Sequence, residues 1–288
     1  MTTDHPEIEF TPIIVGGAMR TGTSLLQNIL SSAPSSNDMM VECQYLTAQL
    51  SLYLNWRNKD ERALSDFFDG NKDFFEHLKS LVIDFMIRTH KQQGEPQHLI
   101  LKHPEMTPFF PLLAQLIPSA RFVATVRDPK DVVASMLAVA ERQRELGRTS
   151  NMRQAGRNME ALTKLFLNFY RGLNRLLNEK PRRLLFVKYE TLATQPQRLF
   201  PALTDFTGLD FSKYDPDADW KYTRPRGVNK AFDTKIRGKG LSSSSIGNYK
   251  DTLSKDEIAT VEETAKNFME GFRYPMVGGK NNALKQPD

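Results

Sequence analysis

The stretch Pro12-Ile-Ile-Val-Gly16-Gly17-Ala-Met-Arg20-Thr21-Gly22-Thr23-Ser24 constrains this chain more than any other. An apolar run leads into two glycines, a polar turn closes on a third, and a helical pattern starts at Thr23. At such a strand-to-helix turn several backbone N–H groups converge, and the helix N-terminus adds partial positive charge. That arrangement binds a phosphate-like anion. Gly22 permits close approach of the backbone, while the hydroxyls of Thr21, Thr23 and Ser24 offer further donors.

The spacing of Gly17 and Gly22 is that of a nucleoside-triphosphate P-loop, but Thr23 stands where such a loop carries its lysine. The cation available is Arg20, inside the turn. A triphosphate-hydrolysing loop works with that lysine and Mg²⁺, so a nucleotide or sugar kinase is the runner-up reading.

Elsewhere, short apolar runs alternate with longer amphipathic ones. Strands are expected at Pro12–Gly16, Met39–Val41, His98–Leu101, Ala120–Val126 and Leu184–Lys188. Their continuous apolar character suits strands covered on both faces. Helices are expected at Ser24–Leu30, Phe74–Arg88, Val132–Glu145, Ala155–Leu177 and Asp256–Gly271. The pattern predicts an α/β fold of three layers around a mostly parallel sheet, P-loop-like in its nucleotide site. We expect one domain over residues 1–277, an irregular stretch at Lys221–Leu253, and a polar tail over 278–288.

Composition narrows the partners. A net charge of +5 suits an anionic ligand, and no basic run interleaved with aromatics suggests nucleic acid. Cys43 is the one cysteine, which excludes an internal disulfide, and the histidines lack metal-ligand spacing. No metal is expected. The start, Met1–Glu7, lacks a basic and apolar leader pattern, and no run is long enough to span a membrane. A cytoplasmic setting is the resulting expectation; oligomeric state is not encoded legibly.

A second anion site is expected at Arg121-Phe-Val-Ala-Thr-Val-Arg127-Asp-Pro-Lys-Asp131-Val-Val-Ala-Ser135. Here a buried-type strand ends at Arg127. Asp128-Pro129 opens a helix, with Asp131 placed as the reciprocal partner of a capping box. Ligands collect at such carboxyl ends of strands in open α/β sheets. An arginine fork with a nearby hydroxyl cradles a phosphate through charge-assisted bonds.

Together these segments resemble the sulfotransferase family that uses 3′-phosphoadenosine 5′-phosphosulfate (PAPS), in the pattern of its bacterial and tyrosyl-protein members. The glycine loop is similar to the family's 5′-phosphosulfate loop, with Met19 where proline is usual. Arg127 and Ser135 match its 3′-phosphate motif. Leu185–Pro196 is similar to its Y-E-x-L-x-x-x-P segment, which places Tyr189 near the nucleotide. Ser245–Leu253 is similar to its late S-x-G-x-W-x-x-x-L segment, with Tyr249 in place of tryptophan. The resemblance thus implies Arg20, Thr21, Gly22, Thr23, Ser24, Arg127, Ser135, Tyr189, Ser245 and Lys250 as donor-binding residues. It also implies 3′,5′-adenosine bisphosphate as the product.

Sulfuryl transfer is an in-line displacement in which charge builds on the leaving oxygen, so it calls for fixed cations and a base. Arg20 is the first cation. Lys102, in Leu99-Ile-Leu-Lys102-His103-Pro104-Glu105, resembles the family's K-x-P lysine and is the second. For the base, Glu42 falls where tyrosyl-protein and many bacterial members have a glutamate. His103 is the rival, since cytosolic members place a histidine two residues after the lysine. Here it follows Lys102 directly, and one residue along a strand reverses the face. Glu105 is third. The acceptor is expected to be a hydroxyl on a sugar, lipid, phenol or small metabolite. Its walls are expected at Tyr45–Asn58, Ala138–Asn158 and Tyr222–Gly240. A non-catalytic nucleotide-binding protein is the alternative from another class.

Overall fold

The computed structural model describes residues 6–59, 62–179, 181–222 and 241–276. These residues group into two compact units, one within Met1–Val126 and Phe169–Ser243, the other within Arg127–Asn168 and Ser244–Asp288.

The first unit is built on four strands: β1 (Thr11–Gly17), β2 (His98–Lys102), β3 (Arg121–Val126) and β4 (Leu184–Lys188). All pairings are parallel, in the spatial order β2-β1-β3-β4. Alternation along the strands sorts the core into two layers. Ile14, Leu99, Leu101, Phe122, Ala124 and Leu184 join one apolar cluster. Ile13, Val15, Ile100, Val123 and Val187 join the other. Helix α1 (Thr23–Leu30) supplies Leu26, Ile29 and Leu30 to the second cluster; α2 (Gln44–Arg57) supplies Leu46, Leu50 and Tyr53 to the first. The three-layer α/β expectation therefore holds for this sheet.

The register decides what meets at the carboxyl edge. Val15 lies beside Lys102, and Gly17 beside Thr125. The glycine loop thus emerges between the ends of β2 and β3.

The second unit packs the helix Pro129–Glu145 with the helices Met159–Asn168 and Lys255–Thr264. Ala265, Met269 and Tyr274 form its smaller core. Ser254 and Glu257 make a full capping box at the start of Lys255–Thr264.

Several expectations are corrected. Met39–Val41 is not a strand: Met39 makes only an isolated bridge to Tyr222. The backbone there is satisfied otherwise, Met39 N–H by Lys221 O and Met40 O by the Gln27 side chain. The edge of β2 is instead covered by Asn37, whose amide exchanges bonds of 2.6 and 3.2 Å with the Ile100 backbone. The expected helix Ala155–Leu177 is broken into Asn151–Ala155, Met159–Asn168 and Asn174–Leu177. Gly156 and Gly172, at φ 57° and 85°, interrupt it. Asp256–Gly271 is likewise two helices, joined at Ala265. Helix α2 was not expected, because its apolar residues surround it and leave no clean stripe. The tail 278–288, and most of the candidate wall Tyr222–Gly240, lie outside the described residues.

Candidate active site

The loop after β1 is fixed from several directions by neutral groups. Gly17 N–H donates to Thr107 Oγ1 at 2.8 Å. Ala18 N–H donates to the Tyr170 hydroxyl at 3.1 Å, and that hydroxyl donates to Thr125 O at 2.8 Å. Burial pushes the Tyr170 phenol up, so it keeps the proton it donates. Thr21 Oγ1 donates to Ala18 O at 2.6 Å and lies 2.7 Å from Thr125 Oγ1. The Thr21 hydroxyl, expected to face a ligand, is therefore engaged inside the fold. The chain's close packing also explains two glycines. A Cβ on Gly16 would lie 2.5 Å from Phe110 Cζ, and one on Gly22 would lie 2.3 Å from Tyr189 Cδ2.

Tyr189, at the start of the helix Tyr189–Thr194, is buried with its ring against the loop. Gly22 itself sits at φ 90°. Arg20 takes φ 72°, a conformation that costs a non-glycine residue roughly 1–3 kcal/mol. The bonds at Gly17, Ala18 and Thr21 hold the turn in that state. Helix α1 then begins at Thr23 with no side-chain cap and no acidic residue in its first turn. Thr23 is buried and Ser24 partly exposed. An uncapped N-terminus behind a glycine cradle is suited to a phosphate-like anion.

Lys102 closes β2 with its side chain at 0% exposure, and its Nζ donates to Glu42 Oε1 at 2.8 Å. Glu42 keeps 32% of its side chain exposed. The Cys43 N–H, donating to Lys102 O at 3.0 Å, brings the Glu42 segment to the end of β2. A buried ammonium needs such a partner. His103 turns elsewhere: Nδ1 lies 2.8 Å from Thr47 Oγ1 on α2, and Nε2 lies 4.0 Å from Glu105. Burial lowers its pKa, the Glu42 charge opposing, so the imidazole is neutral at pH 7.

In the second unit Arg127, the residue after β3, is 5% exposed. Its Nη2 donates to Ser245 O and lies 3.8 Å from Asp131 Oδ2. Asp128 caps the helix Pro129–Glu145 by accepting from Lys130 N–H at 3.0 Å. The reciprocal capping role expected of Asp131 is corrected. Its carboxylate accepts instead from Gly247 N–H at 2.8 Å and Tyr249 N–H at 3.2 Å. Lys130 is buried, its Nζ 3.0 Å from Glu262 Oε1 and 3.6 Å from Asp128 Oδ2. Ser135 and Ser245 are partly exposed, and Lys250 is exposed on the single turn Tyr249–Thr252. The structure thus joins Arg127 to the Ser245 segment within one unit, and Lys102 to Glu42 within the other.

The family model described as "Sulfotransferase family" matches residues 12–213. The chain belongs to the sulfotransferase family. A putative protein-tyrosine sulfotransferase of Caenorhabditis briggsae is 26% identical over 204 residues, covering 70% of this chain and 66% of that protein. Mouse protein-tyrosine sulfotransferase 1 is 29% identical over 127 residues, covering 44% of this chain and 34% of that protein. The chain therefore spans less than two thirds of each of these relatives. Among solved structures, the sulfotransferase domain of a Synechococcus olefin synthase aligns with TM-score 0.62 at 18% identity, over 96% of this chain and 99% of that one. A mouse sulfotransferase complexed with PAP aligns with TM-score 0.50 at 14% identity, over 92% of this chain and 85% of that one. Family membership sets aside the kinase reading.

Thr107, Thr125 and Tyr170 hold the glycine loop, yet they lie 90, 104 and 152 residues from their partners in sequence. No local signal marks them. Of the expected acceptor walls, Tyr45–Asn58 forms α2, with Tyr45 and Leu52 exposed. Ala138–Asn158 forms the end of the helix Pro129–Glu145 and the turn Asn151–Ala155. Among the described residues, no helix is long and apolar enough to cross a membrane.

Proposed function

We propose that this chain transfers a sulfuryl group from PAPS to an acceptor hydroxyl by in-line displacement. The observation that carries this reading is the 2.8 Å pair between fully buried Lys102 and accessible Glu42, at the sheet edge from which the uncapped loop emerges. PAPS would supply the activated sulfuryl group. The N–H groups at the start of α1 would hold its 5′ end, supported by Ser24 and Thr23, with Tyr189 against the turn. Arg20 and Lys102 would offset the charge that grows on the leaving oxygen. Glu42 would take the acceptor's proton. His103, buried against Thr47, is the weaker candidate base. Arg127, Ser135, Ser245 and Lys250 would receive the 3′-phosphate, and in this reading residues 1–277 serve one sulfotransferase domain.

The named relatives make a peptide tyrosine phenol the first acceptor to test, ahead of sugars, lipids and small metabolites. Calorimetry should show binding of 3′,5′-adenosine bisphosphate without Mg²⁺, and labelled donor should yield product with a tyrosine peptide or another hydroxyl acceptor. Binding of ATP but not of the bisphosphate would overturn the donor. Binding that Arg127→Ala abolishes, with no product from any acceptor, would leave a binding protein without turnover.

A further inference from the structure

The carboxylate of Asp131 is 3% exposed and stands in the first turn of the helix Pro129–Glu145. Its two oxygens accept two backbone donors, Gly247 N–H and Tyr249 N–H, on alternate residues of the late segment. One position earlier in that alternation, Ser245 O accepts from Arg127. Positions 245, 247 and 249 are thus pinned by two side chains a single helical turn apart. Gly247 supports this turn with φ 82°, a conformation that glycine adopts without strain.

Beside Arg127 the Asp131 charge acts in two directions: it compensates the buried guanidinium while no ligand is bound, and it works against a bound phosphate. Asp131 lies 3.8 Å from the Arg127 guanidinium, where it opposes attraction of any second anion. A carboxylate has one property that asparagine lacks: both of its oxygens accept, whereas an amide turns one N–H₂ toward a backbone donor. We propose that Asp131 is a positioning residue for the donor's 3′-phosphate, setting the Ser245–Lys250 backbone against Arg127 while touching no ligand itself. This inference rests on the PAPS reading above.

The two roles make opposite predictions for Asp131→Asn. Removing a merely repulsive charge would tighten binding of 3′,5′-adenosine bisphosphate. Loss of positioning weakens it, by about 10- to 100-fold, the scale of one or two lost charged hydrogen bonds. Adenosine 5′-monophosphate, which lacks the 3′-phosphate, should bind the variant and the parent protein equally. In turnover, the donor KM should rise with kcat at saturating donor retained. Tighter binding of the bisphosphate, unchanged binding, or equal loss for both nucleotides would each overturn the proposal. Should Asp131→Asn fail to fold, Gly247→Ala strains the same turn with Asp131 intact. It should show the same selective loss, and equal affinity for both nucleotides relative to the parent would again overturn the idea. Failure of the parent protein to bind the bisphosphate would instead refute the donor assignment, so the two failures are distinguishable.

Discussion

The glycine loop of the first unit and the start of the helix Pro129–Glu145 in the second are built from different materials. Around the loop stand four hydroxyls, those of Thr21, Thr107, Thr125 and Tyr170, each bonded to backbone or to another hydroxyl. Around the helix start stand Arg127, Asp128, Lys130, Asp131 and Glu262, nearly all buried and mutually paired. The difference follows from what each would offer an anion. A loop that binds through N–H groups and a helix dipole is weakened by any fixed carboxylate that reaches those donors first, so neutral groups support it. A site that binds through a buried guanidinium must keep that charge compensated when no ligand is near, so carboxylates surround it.

That contrast can be broken by experiment, beginning with the largest effect. Glu42→Ala should lower turnover by about 10²–10⁴ while bisphosphate affinity stays nearly constant. An equal fall in both would move Glu42 from chemistry to scaffold. Next comes Lys130→Met, which strands Glu262 and Asp128 as buried carboxylates. Urea unfolding should register a loss of about 3–5 kcal/mol, part of which Glu262→Leu restores in the double variant. A loss below about 1 kcal/mol would mean that charge is not what holds the second unit.

Tyr170→Phe tests the neutral side. It removes the acceptor of Ala18 N–H and the donor to Thr125 O, and should cost about 1–3 kcal/mol. Bisphosphate binding should weaken with it, and a variant with intact affinity would show that the loop stands without this support. The smallest effect concerns pH. Burial lowers the folded pKa of both His98 and His103, which belong to the first unit. Below about pH 6.5 the unfolded chain takes up protons that the folded one refuses, so stability is complete above that value and declines as pH falls. The melting temperature should be lower at pH 5.5 than at pH 7.5, and His103→Gln should flatten part of the slope. A slope unchanged by that substitution would assign the titration elsewhere.

Much of the candidate site's geometry was legible because it is local in sequence. Gly16, Gly22 and Arg20 share one turn; Arg127 and Asp128 share one strand end; Lys102 ends a continuous apolar run. The misreadings share a cause as well. Met39–Val41 has strand-like residues, but its backbone partners, Lys221 and Gln27, are unpredictable from composition. Asp131 fits the capping-box spacing by position, and it serves a segment more than a hundred residues away. Helix α2 has no stripe because it is half-covered by the core on one side while Tyr45 and Leu52 lie exposed on another.

The sequence by itself determined the layered parallel sheet, the glycine turn between strand and helix, and the family, since each depends on residue types repeated at short, fixed spacing. Only the tertiary structure decided that Lys102 pairs with Glu42, that His103 turns to Thr47, that Tyr170 bonds the glycine loop, and that Asp131 bonds the backbone at Gly247 and Tyr249. Hydrogen bonds and ion pairs act over about 3–4 Å, and folding alone brings residues distant along the chain within that range.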